Sequence, residues 1–127
     1  QNYVNAWAKL DNASVCDDGN YFDIFKTADA LITDSASFLA EFLPTQKPII
    51  FLRRKDAVSM NKIGEIITKD YYHAYSTEDI QKFIDEVVIS GHDKLKNERL
   101  TALKQVMPFN ATAGETIAGD LFNTFFN

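Results

Sequence analysis

Residues 23–54, DIFKTADALITDSASFLAEFLPTQKPIIFLRR, decide how the rest of the chain is read. Ala30 to Thr33 is a short apolar β run, and Asp34-Ser35-Ala36-Ser37 a polar turn. Phe38 to Leu43 follows as a helix, and Ile49 to Leu52 as a second strand. The stretch is therefore one βαβ unit. A right-handed crossover sets the carboxyl end of the first strand beside the amino end of the helix, where open α/β sheets hold their ligands. The turn that carries the hydroxyls is the candidate site.

Within it, Ser35 and Ser37 stand where free backbone N–H groups and the positive end of the helix attract phosphate. The same hydroxyls would equally serve as helix caps. Glu41 follows Ser37 by four residues and shares its helix face, so its carboxylate can accept hydrogen bonds from ribose hydroxyls or simply stay solvated. Asp34 ends a strand beside the crevice, where it either holds the turn through backbone N–H groups or meets a ligand hydroxyl. Arg53, at the end of the second strand, offers a forked donor suited to phosphate. Its neighbour Arg54 would face the opposite way if the strand persisted. Lys47 precedes its strand at the far end of the sheet and reads as structural.

These residues also carry a resemblance. Asp29-Ala-Leu-Ile-Thr-Asp-Ser-Ala-Ser, then Glu41-Phe, then Lys47-Pro-Ile-Ile-Phe resembles the nucleotide-binding half of the CDP-glycerol glycerophosphotransferases, which extend teichoic acids and related polymers. In that family a Ser-Ser pair in the turn contacts the donor phosphates. Ala36-Ser37 stands there in this chain, so Ser37 carries the role over, while Ser35 occupies the place of a Tyr. A more distant likeness is to the UDP-N-acetylglucosamine 2-epimerases, whose turn ends in Gly-Gly and whose next strand ends in Arg. Both families have the GT-B superfold. The resemblance implies a Rossmann-like three-layer α/β sandwich with a short, mostly parallel sheet, the C-terminal part of a GT-B half-domain. It further implies that residues 1–127 form a single domain, the carboxyl-terminal part of a longer two-lobed transferase and inactive alone. The donor would be a nucleotide-activated polyol or sugar, and a polymer or lipid-linked acceptor would be held through the other lobe. The implied compartment is the cytoplasm, with peripheral attachment at the inner face of the membrane. Essential histidines of the family lie upstream of the matched segment, so none is transferred and the catalytic residues stay unassigned.

The 127 residues suffice for one core, and 46% hydrophobic content with ten Phe fits a packed globule. A formal charge of −5 is contrary to a nucleic-acid surface, which needs a dense basic face. One cysteine, Cys16, excludes an internal disulfide. The tetrad Asp17-Asp18-Gly19-Asn20 lacks the alternating acids and terminal Glu of a calcium loop, so it reads as a solvated turn; neither a metal nor a cofactor is expected. A receiver domain would also place Asp at a strand end and carry Lys-Pro, but there the Lys-Pro follows its strand, whereas Lys47-Pro48 precedes one.

Outward from the central unit, Val4, Trp7 and Leu10 form a helical stripe expected to pack on the sheet, and Ala13 to Cys16 suits a short strand. Tyr21 to Ala28 is a short amphipathic helix. Val58 to Ile67 fits a helix weakened by Gly64, and Tyr71 to Tyr75 a last strand. Ser76 caps a helix striped by Ile80, Phe83, Ile84, Val87 and Val88 and stopped at Ser90-Gly91. Two more helices are expected, from Asp93 to Val106 and from Thr112 to Phe126, the last with Ile117, Leu121, Phe122 and Phe125 on one side. With the first sheet strands of the family absent from residues 1–127, the edge beside Ala30 to Thr33 is expected to take up Ala13 to Cys16 or to self-associate. His73 and His92 have no partner visible in sequence. The alternative functions are a non-catalytic nucleotide-binding module and a sugar-nucleotide epimerase-like enzyme.

Overall fold

The apolar run at Ile49 to Leu52 becomes the middle of the molecule. In the computed structural model, which describes residues 2–17, 19–56, 59–107 and 112–126, three parallel strands form one open sheet. They are β1 (Leu31–Thr33), β2 (Ile49–Leu52) and β3 (Tyr72–Ala74), side by side in chain order. Leu31 pairs with Ile49 and Thr33 with Phe51, while Phe51 pairs with His73 on the other side. Strand residues alternate between faces, and both faces of β2 are buried, as a parallel sheet covered on two sides requires.

The helices are α1 (Asn2–Trp7), α2 (Phe22–Thr27), α3 (Ala36–Phe42), α4 (Lys62–Thr68), α5 (Thr77–Phe83), α6 (Lys96–Val106) and α7 (Ala113–Phe126). One face of the sheet, through Ile49 and Phe51, meets Phe25 of α2, Leu39 and Phe42 of α3 and Ile67 of α4, with Leu103 and Val106 of α6 against them. The other face, through Ile50 and Ala74, is covered by Phe83 of α5 and Val87 just beyond it. The protein is thus a small α/β domain with a parallel open sheet.

Several local features follow directly from side-chain chemistry. Ser76 and Asp79 close a reciprocal capping box at the start of α5. The expected stripe from Ile80 to Val88 is real, but the helix widens to a π-turn over Ile84–Ile89 before ending at Ser90 and at Gly91, whose φ of +70° suits glycine. Asn61 caps α4 by accepting from the Gly64 N–H at 2.8 Å, so the helix starts later than Val58, which lies outside the described residues. α6 begins at Lys96 instead of Asp93, because Asp93 is drawn into a buried ion pair.

Two expectations for the amino-terminal region fail. Ala13 to Cys16 forms no strand, and β1 therefore has no neighbour on its outer side among the described residues. In residues 13–16, Ala-Ser-Val-Cys, Val15 is the single bulky strand former, and it stays exposed. Tyr3, Val4, Trp7 and Leu10 are all exposed, so the stripe of α1 does not pack on the sheet. In the acidic tetrad, Asp18 lies outside the described residues. The same holds for the side chains of Leu121, Phe122 and Phe125 on α7; Ile117 on that helix is exposed. No helix among the described residues is long and apolar enough to cross a membrane.

Candidate functional site at the carboxyl end of the sheet

The turn after β1 is held by Thr33, whose hydroxyl accepts from the Ser35 N–H at 3.0 Å. Asp34 is thereby relieved of that job, and its carboxylate points to Arg54, with Oδ2 lying 3.7 Å from Nη1. Ser35 stands at the cap position of α3 with extended backbone, yet its side chain caps nothing. Its hydroxyl instead faces that of Ser37 at 3.2 Å. Two adjacent hydroxyls on an exposed turn can donate together to one acceptor group.

Ser37 and Asp34 line a cleft of about 690 Å³ between α3 and α4, at the carboxyl end of the sheet. Its floor is apolar, with Leu39, Phe51 and Ile67 reaching into the core below. Its rim is polar: Arg54, Asp56 and Asn61 face Asp34 and Ser37 across the opening. An apolar floor with a few convergent polar groups is the usual character of a small-molecule site.

Arg54 is the cation at this rim. Its Nε and Nη2 donate to the two oxygens of Asp56 at 3.2 and 2.9 Å. The hydrogen bonds that Arg54 donates to Asp56, then the negative charges of Asp56 and Asp34, hold the Arg54 guanidinium above its ordinary pKa, and Arg54 in turn holds the Asp56 carboxyl below the usual range. Arg53 is placed differently: its guanidinium lies over the Phe51 ring at 5.2 Å and is not among the groups lining the cleft. Strand β2 ends at Leu52, so the alternation that would send Arg54 to the far face stops before reaching it. Two adjacent charged residues directly after Ile-Ile-Phe-Leu were the signal that the strand had ended.

Glu41 does not join the rim. Its carboxylate accepts from the Tyr21 hydroxyl at 2.6 Å, tying α3 to the segment before α2. That bond, then burial, raises the Tyr21 pKa. Lys47 donates to the Lys26 carbonyl at 2.7 Å, which closes the end of α2 against β2 and fits a structural role. His73 donates from Nε2 to the Thr68 carbonyl at 2.8 Å, and neither it nor His92 lines the cleft. Among the described residues no group of three or more His, Cys, Asp or Glu side chains is arranged to hold a metal ion.

Comparison with protein-family models, curated proteins and solved structures finds no match for this chain.

Gly64, read from the sequence only as weakening its helix, shapes the site. Gly64 on α4 leaves room for Met60, because a Cβ there would stand 3.0 Å from the Met60 Cβ and 3.2 Å from its sulfur. Both residues line the cleft, so the small size of Gly64 sets how far Met60 can withdraw from it.

Proposed function

We propose that the cleft receives the diphosphate of a nucleotide-activated polyol or sugar, and that the chain is the donor-binding part of a transferase similar to the CDP-glycerol glycerophosphotransferases. The observation that carries this reading is the Ser37 hydroxyl, which lies on the same cleft rim as the Arg54 guanidinium and is backed at 3.2 Å by the hydroxyl of Ser35, a side chain that leaves the helix uncapped. Hydroxyl and guanidinium donors converging over an apolar floor suit a phosphate joined to a less polar body. The resemblance of Asp29-Ala-Leu-Ile-Thr-Asp-Ser-Ala-Ser supplies the nucleotide and the polymer-building context. On this reading the donor is used on the cytoplasmic side of a membrane, with the acceptor held by protein beyond residues 1–127. Since both histidines lie away from the cleft, a binding-only role for these residues is the second reading.

Calorimetric titration with CDP-glycerol, CDP and UDP-N-acetylglucosamine tests the proposal. CDP-glycerol and CDP should bind with similar affinity. Ser37→Ala and Arg54→Ala should each weaken them about ten-fold, the scale of a charge-assisted hydrogen bond, with little change in Tm. Glu41→Ala should leave affinity unchanged, because its carboxylate serves Tyr21. A large loss of stability with unaltered affinity would assign Ser37 and Arg54 to the scaffold, and tighter binding of UDP-N-acetylglucosamine would favour an epimerase-like protein.

A further inference from the structure

Arg54 reaches the cleft already neutralised. Asp56 takes it with two hydrogen bonds, and Asp34 lies within ion-pair distance on the other side. Among the described residues lining the cleft, the charged ones are this single cation and these two anions, so the rim carries a net negative formal charge. A rim of that sign repels any anion that arrives while all three groups keep their places. Yet the three side chains are more than half exposed, at 61% for Arg54, 54% for Asp34 and 72% for Asp56. Exposed ion pairs are held weakly, so their exchange is easy.

From this geometry we infer that Asp56 and Asp34 are competitors for Arg54, which they hold in the empty cleft and release to an incoming diphosphate. The inference rests on the phosphate reading of the cleft. Asp56 grips Arg54 in the bidentate manner of a carboxylate. A ligand carrying one negative charge offers the guanidinium no more than Asp56 already does, and it must also approach two carboxylates. A diphosphate brings more charge and more acceptor oxygens, so it wins the exchange while carboxylates and singly charged phosphodiesters do not. The acidic pair therefore acts as a specificity filter that rejects monoanions.

The experiment is titration with inorganic pyrophosphate, dimethyl phosphate and acetate, each with and without Mg²⁺, on the wild-type chain and on Asp56→Asn, Asp34→Asn and Arg54→Ala. Wild type should bind pyrophosphate alone, and Arg54→Ala should lose it. Asp56→Asn should bind pyrophosphate about five-fold tighter, the scale of one exposed ion pair, and should gain measurable binding of dimethyl phosphate. Asp34→Asn should act in the same direction and more weakly, its separation being 3.7 Å. Weaker binding by Asp56→Asn would overturn the inference and make Asp56 a residue that positions Arg54. Binding that needs Mg²⁺ and is lost in Asp56→Asn would overturn it in favour of a cation held by the carboxylates. Pyrophosphate binding in wild type that Arg54→Ala leaves intact, or no binding by any variant, would sink the phosphate reading of the rim and the filter together. Arg54-dependent binding that Asp56→Asn does not alter would sink the filter alone.

Discussion

Arg53 and Arg54 are neighbours with unrelated surroundings: one lies on the Phe51 ring, the other on Asp56 at the cleft. Arg99 shows a third fate for the same side chain. It is fully buried, donates from both terminal nitrogens to the Asp93 carboxylate, and reaches the Gln46 carbonyl at 3.2 Å. Gln46 presents that carbonyl from a left-handed conformation with φ of 58°, directly after the short 3-10 turn Leu43–Thr45. Asp93 also accepts from the Tyr72 hydroxyl at 3.1 Å, so α6 is bound to both the β3 strand and the turn before β2. Removing one member of a buried pair leaves the other charge stranded, at a cost of about 3–5 kcal/mol. Urea denaturation should show a loss of that order for Arg99→Ala, and a smaller one for the double change Arg99→Met with Asp93→Asn. Burial pushes the Asp93 pKa up, but the hydrogen bonds and charge of Arg99 outweigh it and the carboxyl ends below its ordinary value. A depressed folded-state pKa means that this stabilisation is complete above the unfolded Asp value of about 3.9 and fades as pH falls below it. Stability measured against pH should therefore drop in that acidic window for the wild type, and less steeply for the double variant. An equal slope in the two proteins would place the acid sensitivity elsewhere.

At the scale of elements, α4 pits helix propensity against packing. An alanine at a helix-interior glycine ordinarily gains up to about 1 kcal/mol. At Gly64 the added Cβ would meet the Met60 Cβ at 3.0 Å, closer than such atoms comfortably approach, and this neighbour is anchored to backbone. Packing should win. Gly64→Ala is expected to lower stability by about 1 kcal/mol, the lower end of overpacking costs, and to push Met60 into the cleft, weakening CDP binding. A thermal melt combined with CDP titration checks both effects, and a stabilised variant with unchanged affinity would show that the Met60 segment yields freely. The start of α3 carries the complementary lesson. Thr33 satisfies the turn, Asp34 and Ser35 are set free, and a seven-residue helix begins without a side-chain cap. Of the two, Asp34 lines the cleft, and Ser35 meets the hydroxyl of Ser37, which does.

For the whole molecule, the consequence of a three-stranded sheet is an open edge. In a parallel pair the N–H and C=O of a given residue point to the same side, and Leu31 donates to the Pro48 carbonyl in the direction of β2. The backbone groups of Ile32 therefore face outward, with its side chain 43% exposed. No described strand pairs with this edge, Ala13 to Cys16 being coil. Such an edge is a template for pairing with a second chain. Light scattering of the 127-residue chain should accordingly show concentration-dependent association, and Ile32→Lys should abolish it without unfolding the domain. A wild-type chain that stays monomeric at every concentration would mean that the edge is too short to pair.

What the sequence determined by itself is the part that depends on neighbours along the chain. The βαβ unit, the strand at Ile49 to Leu52, the capping box at Ser76 and the stop at Gly91 all follow from periodicity and local hydrogen bonding, whose partners lie within a few residues. The turn at Asp34 to Ser37 was legible as a polar turn between strand and helix for the same reason. The partners of its side chains were not. Whether Ser35 caps, whether Glu41 faces the cleft, and which arginine reaches it depend on where strands end and on what lies across space, such as Tyr21, twenty residues from Glu41. The pairing of Arg99 with the Gln46 carbonyl spans 53 residues, and no local pattern encodes a charge that stays buried. The amino-terminal stripe erred in the other direction: its period was right for a helix, but periodicity says only which side chains share a face. Whether that face is buried is decided by the surface it meets, and for Tyr3, Val4, Trp7 and Leu10 the described structure offers none.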